Sequence, residues 1–272
     1  MDVEFLELTE TSARLVIKGL TPAQVNALRR TMISDVPKMA IHFVDFYHGP
    51  SKEGKESTSA FFDEIVSHRL GLVPIPTDLS LFSRVDECSC DGEGCPNCSI
   101  TYSLNKSGPA VVYSGDLEPA GHGGYKVKDS LIPLTKLKED QSITVVAKAI
   151  LGSGKEHAKW QAVIAAGYKF KSVLEVNGSL CNQCEDCIKA CPRNIMAMSG
   201  KTPLITHLEE CTACRSCADA CTKKALKILL DPSEVIFKFE TDGALHPKDV
   251  LEKALDLLEG GFKDIEEQVD TL

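Results

Sequence analysis

Twelve cysteines stand in three groups, and eight of them share one spacing. The first run reads Cys181-Asn-Gln-Cys184-Glu-Asp-Cys187-Ile-Lys-Ala-Cys191-Pro192. The second reads Cys211-Thr-Ala-Cys214-Arg-Ser-Cys217-Ala-Asp-Ala-Cys221-Thr222, each cysteine thirty positions after its counterpart. Ala190 matches Ala220 as well, so the segment is an internal duplication. A C-x2-C-x2-C loop is short enough to wrap three thiolates around three iron corners of one cubane. The fourth cysteine, ahead of Pro192 in the first run, is expected to begin a helix that leads away from those three.

In two-cluster proteins with this spacing the fourth cysteine serves the other cluster. On that rule Cys181, Cys184, Cys187 and Cys221 hold one [4Fe-4S] cluster, while Cys211, Cys214, Cys217 and Cys191 hold the second. Disulfides would need an oxidising compartment, which nothing in the sequence marks. Zinc prefers two C-x2-C pairs on a longer loop, so tandem triplets favour iron. Thr222 replaces the proline of the first run, which makes the second run the looser one and its cluster the more labile.

The third group is Cys88-Ser-Cys90-Asp-Gly-Glu-Gly-Cys95-Pro-Asn-Cys98, four thiols in eleven residues. A Cys95–Cys98 knuckle beside a C-x-C pair suits one tetrahedral structural zinc, with free or redox-active thiols as the alternative. Two other stretches imitate chemistry. Gly152-Ser-Gly154-Lys155 looks like a phosphate loop, but Ala149 stands at its first glycine and Glu156 where a magnesium-binding Ser or Thr belongs. His122, among Gly121, Gly123 and Gly124, reads as loop.

These groups need elements to position them. Residues 3–8 and 13–18 alternate as a hairpin around Thr9–Ser12. Thr21-Pro22-Ala23-Gln24 has the form of a capping box opening a helix, with Val25, Leu28 and Met32 on one stripe and Asp35-Val36-Pro37 as the stop. Met39–Tyr47 alternates as a strand, and Gly49–Ser59 is a polar loop. A second helix from about Ala60 would turn Phe62, Ile65, Val66 and Leu70 inward and end on a left-handed Gly71 before Pro74. Short strands are expected at Ile100–Leu104, Ala110–Tyr113, Ile143–Ile150 and Trp160–Ala165. After the cysteines, Leu226, Ile228 and Leu230 alternate, Asp231-Pro232-Ser233 turns, and Val235, Phe237 and Phe239 alternate again. His246-Pro247 then starts a long helix with apolar positions at Leu251, Leu255, Leu258, Phe262, Ile265, Val269 and Leu272. That is a heptad seam, fit for an internal core or a partner helix. Gly260-Gly261 lowers its helix propensity by about 1–2 kcal/mol.

Hydrophobic residues make up 43% of the 272-residue chain and charged ones 25%, which suits a globular protein with an ample core. The opening Met-Asp-Val-Glu lacks the basic-then-apolar order of a signal peptide, and no apolar run reaches the ~20 residues of a membrane span. The expected compartment is the reducing cytoplasm. Net charge is −9, and residues 231–272 hold twelve Asp and Glu against four Lys. Such an acidic end repels nucleic-acid backbones, and a solvated helix face explains it equally well.

Leu20-Thr-Pro-Ala-Gln-Val-Asn-Ala-Leu-Arg-Arg30, Phe62-Asp-Glu-Ile-Val-Ser-His-Arg-Leu-Gly-Leu-Val-Pro74 and Gly152-Ser-Gly-Lys-Glu-His-Ala-Lys-Trp160 together resemble the D subunit of archaeal DNA-directed RNA polymerase. That family is related to the bacterial α subunit's N-terminal domain and to the third-largest subunit of eukaryotic RNA polymerase II. The resemblance covers essentially the whole chain and explains the failed phosphate loop. It implies an α+β fold: a split dimerisation domain from residues 1–45 and 225–272, a mostly-β inserted domain over 46–169, and a nested ferredoxin-like domain over 170–224. It further implies pairing with the small subunit L, then recruitment of subunits N and P and the two large catalytic subunits. The seam at Leu251, Leu255, Leu258, Phe262, Ile265 and Val269, with Val25, Leu28 and Met32, becomes the candidate subunit L interface. Arg29, Arg30, His68 and Arg69 would face the larger subunits.

The function so expected is a non-catalytic scaffold of a polymerase, because no Asp-rich, Gly-containing loop for catalytic magnesium occurs. The alternative from another class is a ferredoxin-like electron-transfer subunit of an oxidoreductase, although no GxGxxG or flavin signature accompanies the clusters. The clusters themselves would be structural or would gate assembly by redox state.

Overall fold

The computed structural model describes residues 2–49, 56–57, 59, 61–121 and 124–271. Ala60, His122, Leu272 and most of the loop at 49–59, on which expectations were placed, lie outside the described residues.

The chain forms two compact units, one from residues 1–8, 13–27 and 166–238, the other from 9–12, 28–165 and 239–272. Residues 170–224 fall in the same unit as the N-terminal strands and 225–238. The cause lies in the strands that flank the cysteines, which belong to the same sheet as the N-terminal hairpin.

In the first unit β1 (Asp2–Leu8) and β2 (Ser12–Lys18) pair as the expected hairpin, with Leu8 opposite Ala13. Thr21 and Gln24 form the expected capping box at the start of α1 (Pro22–Ser34). The Gln24 amide donates to Thr21 Oγ1 at 3.3 Å, and Gln24 Oε1 accepts from the Thr21 amide at 2.8 Å. Val25, Leu28 and Met32 are buried beneath this chain's own atoms. That stripe is core, because each of these side chains is already covered, and it has no face to offer a partner.

The second unit holds β3 (Lys38–Phe46), β4 (Glu56–Ser57), α2 (Asp63–Gly71), β5 (Ser99–Ser107), β6 (Ala110–Tyr113), β7 (Glu118–Pro119), β8 (Pro133–Leu137) and β9 (Gln141–Gly152). Its main sheet has the order β3-β9-β5-β7, with β4 parallel to β9, while β6 pairs with β8. Ile41, Leu70, Ile75, Ile100, Tyr102 and Leu134 are fully buried in its core. Helix α2 starts three residues later than expected. Phe62 stays extended at its N-cap and 78% exposed, and Ile65 faces solvent, so only Val66 and Leu70 turn inward. Gly71 is its last helical residue rather than a left-handed cap; the cap is Leu72, in right-handed geometry at φ −94°.

The imitation phosphate loop has a packing origin. A Cβ on Gly152 would lie 2.4 Å from the Trp160 ring, and one on Gly154 would lie 2.3 Å from the Ile33 carbonyl oxygen. Trp160, in a 3-10 turn at Ala158–Trp160, donates from Nε1 to the Ile150 carbonyl at 3.1 Å. The expected strand there therefore starts later, as β10 (Val163–Val176).

The duplicated segment carries α3 (Asp186–Lys189), β11 (Met196–Ser199), β12 (Thr202–Ile205) and α4 (Ser216–Asp219), and the chain leaves it through β13 (Leu226–Thr241). The sheet order is β1-β2-β13-β10, so the strands entering and leaving the cysteines are neighbours. Asn177 N donates to the Ala225 carbonyl at 2.8 Å and closes the neck between them. The turn expected at Asp231-Pro232-Ser233 lies inside one continuous sixteen-residue strand. Asp231 Oδ1 accepts from the Ser233 amide at 2.9 Å there, which satisfies the backbone without reversing it.

Helix α5 (Pro247–Asp270) starts where expected, with His246 Nδ1 accepting from Lys248 N at 3.2 Å. Its first turns bury Val250, Leu251 and Ala254. Beyond them Leu258 is half-buried, while Leu255, Phe262, Ile265 and Val269 are 47%, 69%, 59% and 59% exposed. The chain is α+β with strands predominant, and no described helix is long and apolar enough to cross a membrane.

Candidate metal centres

The duplication in the sequence is repeated in the backbone. Gln183, Glu185 and Asn194 adopt φ of 60°, 61° and 54°; Ala213, Arg215 and Lys224, thirty residues on, adopt 54°, 65° and 52°. None is glycine, and left-handed backbone costs a non-glycine residue on the order of 1–2 kcal/mol. Six such residues in two matching loops mark a geometry that the surroundings enforce. Glu185 and Arg215 are the caps from which α3 and α4 start, and these helices precede Cys191 and Cys221 instead of following them. The fourth cysteine of each run opens a turn: Asn194 N donates to Cys191 O at 3.1 Å, and Lys224 N to Cys221 O at 2.9 Å. Thr222 thus leaves the backbone turn of the second run as it is in the first.

The two runs interlock. Cys187 and Cys217 are buried in one apolar cluster with Met196, Leu226 and Ile228, and Cys191 and Cys221 pack against it. Burial pushes the Cys187 thiol up, and Cys184 and Cys221 add to the rise from close by. Burial does the same to Cys217, with Cys211 and Cys191 as the neighbouring thiols. Each buried cysteine thus has at its side the fourth cysteine of the other run. Cys191, Cys211, Cys214 and Cys217 line one recess, together with Arg193 and Arg215. Eight thiols, gathered by two matching loops around one apolar cluster, form a donor set that fits iron-sulfur ligation.

Three contacts around the second run are invisible in the cysteine pattern. Lys169, on β10, donates from Nζ to the Cys211 carbonyl at 2.9 Å. Arg14, on β2, donates from Nη2 to the Glu209 carbonyl at 2.9 Å. Ser216 Oγ lies 3.4 Å from Cys214 Sγ and is the main reason that thiol is held below the usual cysteine range. A signal for Ser216 existed in the comparison of the two repeats; none existed for Lys169 or Arg14, which lie far away in sequence.

The other centre is assembled on a loop running into β5. Cys88, Cys90, Cys95 and Cys98 place their sulfurs within 4.8 Å of one another. Cys88 and Cys95 are 3.6 Å apart, Cys90 and Cys98 3.6 Å, and Cys95 and Cys98 4.0 Å. A tetrahedron with metal–sulfur bonds of ~2.3 Å has sulfur–sulfur edges of about 3.8 Å, so the four thiols fit one zinc ion. Asp91, Gly92 and Gly94 have positive φ and fold the loop back. Ser99, buried behind it, donates from Oγ to the Gly94 carbonyl at 2.6 Å. Hydrogen bonds from the Cys95 and Gly94 amides lower the Cys90 thiol to about 6, while burial pushes Cys98 up to about 12.

Two family models match the chain: an RNA polymerase Rpb3/RpoA insert domain over residues 52–168, and a 4Fe-4S dicluster domain over residues 174–222. DNA-directed RNA polymerase subunit Rpo3 of Thermoplasma volcanium is 41% identical over 262 residues, which cover 95% of each chain. The chain belongs to the Rpo3 family. Rpo3 of Methanothermobacter thermautotrophicus is 40% identical over 274 residues, covering 100% of this chain and 98% of that one. Rpo3 of Archaeoglobus fulgidus is 36% identical over 271 residues, covering 100% and 98%. Membership of the Rpo3 family makes the chain a subunit of a multi-subunit RNA polymerase, in which catalysis is a property of the complex. An electron-transfer subunit of an oxidoreductase is not favoured, because the likeness to Rpo3 runs through the whole chain rather than stopping at its ferredoxin-like part.

Proposed function

We propose that this Rpo3-family chain is an assembly platform: it pairs with the small subunit L, and the pair gathers subunits N and P and then the two large subunits. The observation that carries this reading is the stretch of α5 beyond its buried first turns, where Leu255, Phe262, Ile265 and Val269 stand exposed at heptad spacing. Burying such a side chain stabilises by roughly 1.5–3 kcal/mol each, so a row of four wet apolar side chains is costly until another helix covers it. Co-expression with subunit L tests the reading. The pair should elute as a monodisperse heterodimer while the chain alone self-associates; a stable monomer indifferent to subunit L would sink it.

The cysteines have a supporting role in this proposal. Cys181, Cys184, Cys187 and Cys221 hold one [4Fe-4S] cluster, and Cys211, Cys214, Cys217 and Cys191 the other. Cys88, Cys90, Cys95 and Cys98 hold one zinc. Metal–thiolate bonds contribute folding free energy directly, so these centres fix loops whose own apolar cores are small. The Ser99 hydroxyl helps to hold the four-thiol loop in the shape that presents its sulfurs. Redox control of assembly follows if loss of a cluster loosens 170–224. Cys184→Ser and Cys214→Ser variants, assembled with and without oxygen, test that control; unchanged assembly in all conditions removes it.

A further inference from the structure

The two cysteine runs superimpose in sequence and backbone but not in charge. Where the first run has Glu185 and Asp186 between its second and third cysteines, the second has Arg215 and Ser216. The residues occupy matching positions: Glu185 and Arg215 are both left-handed caps, and Asp186 and Ser216 both open the following helix. Ser216 places its hydroxyl 3.4 Å from Cys214 Sγ, within reach to donate to the thiolate form of that cysteine. Asp186, as a carboxylate, has no proton to donate.

Groups outside the runs deepen the difference. Lys169, half-buried, puts its ammonium 2.9 Å from the carbonyl of Cys211. Arg193 lines the recess of the second quartet beside Arg215. Glu210 works in the opposite direction, but it is paired to Arg14 at 2.7 Å and to Arg193 at 3.2 Å. One contact favours the first centre: Ala225 N donates to Cys221 Sγ at 3.3 Å. The exchange of Lys189 for Asp219 also runs the other way, but each lies two positions from a cysteine of both quartets and so bears on the two centres alike. A single neutral N–H is weaker than the swap of two carboxylates for a guanidinium and a hydroxyl donor, reinforced by an ammonium. Charge and hydrogen bonds to the sulfurs are the levers that set cluster potentials.

We propose that the two centres are electrostatically inequivalent. The one held by Cys211, Cys214, Cys217 and Cys191 has the more positive reduction potential and takes the first electron. Arg215, Ser216 and Lys169 stabilise the added negative charge there, while Glu185 and Asp186 oppose it at the other centre. Each centre accepts one electron from a low-potential one-electron donor, with no bond made or broken and no proton taken up. The inference rests on the proposed crossed quartets, and it makes the second run the redox-responsive half of the duplication and the first run the resting one.

The test is a dithionite titration followed by EPR on the polymerase isolated anaerobically, with the full chain in place. Metal content is measured first: about eight iron atoms per chain are expected for two such clusters. Much less iron overturns the two-cluster reading itself, and this inference with it. With the iron present, two one-electron waves are expected. Arg215→Glu and Ser216→Asp should lower the upper wave and leave the lower one nearly in place, and Arg215→Lys should restore it. Glu185→Arg with Asp186→Ser should raise the lower wave toward the upper. Lys169→Gln should lower the upper wave without loss of iron. Waves that stay in place under these exchanges, or shifts that fall on the opposite wave, overturn the inference while leaving the two-cluster reading intact.

Discussion

Arg14, on β2, places Nη1 2.7 Å from Oε1 of Glu210, the residue before Cys211, across 196 positions of sequence. Its Nη2 donates to the Glu209 carbonyl, and Lys169 of β10 holds the Cys211 carbonyl. The entry to the second cysteine run is therefore tied to the sheet by two cations, both partly screened by solvent. Arg14→Met should weaken that tie by about 1 kcal/mol, the discounted value of a partly exposed charged pair. We expect a chelator to strip roughly half of the cluster iron faster than in the unaltered chain, with the other half unaffected. Uniform loss from both halves would show that the tie does not act on one cluster alone.

The left-handed residues make a second prediction. Ala213 and Gln183 have φ of 54° and 60°, a region that alanine and glutamine tolerate and β-branched side chains enter as clear outliers. Ala213→Val and Gln183→Val should each lower cluster retention, by about 1–3 kcal/mol of backbone strain. Ala213→Gly should retain iron as well as the unaltered chain or better. Equal iron content in the valine and glycine variants, measured after anaerobic dialysis, would contradict the view that the loops are held in a strained shape by what they bind.

At the four-thiol loop the expectation concerns metal removal. Cys98 is fully buried and forms two of the three close sulfur pairs, at 3.6 Å and 4.0 Å. Cys98→Ser should release about one zinc equivalent to a colorimetric chelator under conditions where the parent keeps it, because a hydroxyl replaces a thiolate ligand. Protease cleavage between residues 88 and 98 should then rise, since the loop loses the bonds that close it. Ser99→Ala should give a milder version of the same result, because Ser99 holds the Gly94 carbonyl without being a ligand. A parent protein free of zinc after native purification would reject the zinc assignment at once.

Much of this was legible from residue types, and what was not has a physical pattern. The Thr21–Gln24 box, the N-terminal hairpin, the His246 cap and the cysteine duplication are local signals, and each is read within a few residues. Val25, Leu28 and Met32 show the limit: periodicity identified an apolar stripe but could not say whose atoms cover it. Phe62 and Ile65 failed in the same way, since α2 starts at Asp63 and turns them to solvent. Asp231-Pro232-Ser233 has the composition of a reversal, yet the alternation on both sides of it belongs to one long strand, and long-range pairing overrode the local preference. Lys169 and Arg14 could not be found at all, because nothing in their neighbourhood points to residues some 40 or 200 positions away.

The clearest separation of folding from assembly lies along α5. Its first turns bury Val250, Leu251 and Ala254, while from Gly261 to Asp270 every residue is exposed. Fold and partner should therefore respond to different substitutions on one helix. Ala254→Asp places an unpaired carboxylate in a buried position and should destabilise the chain itself, by about 3 kcal/mol or more. Phe262→Asp or Ile265→Asp should leave the chain's melting temperature within about a degree or two, as exposed substitutions usually do. The same two changes should nonetheless reduce capture of subunit L by at least tenfold, because each removes an apolar side chain from the pairing seam and sets a charge against it. Thermal melting of the isolated variants and co-purification with tagged subunit L measure the two effects separately. If Phe262→Asp and Ile265→Asp both pair normally, the partner helix does not lie on this row, and the exposed end of α5 must be covered some other way.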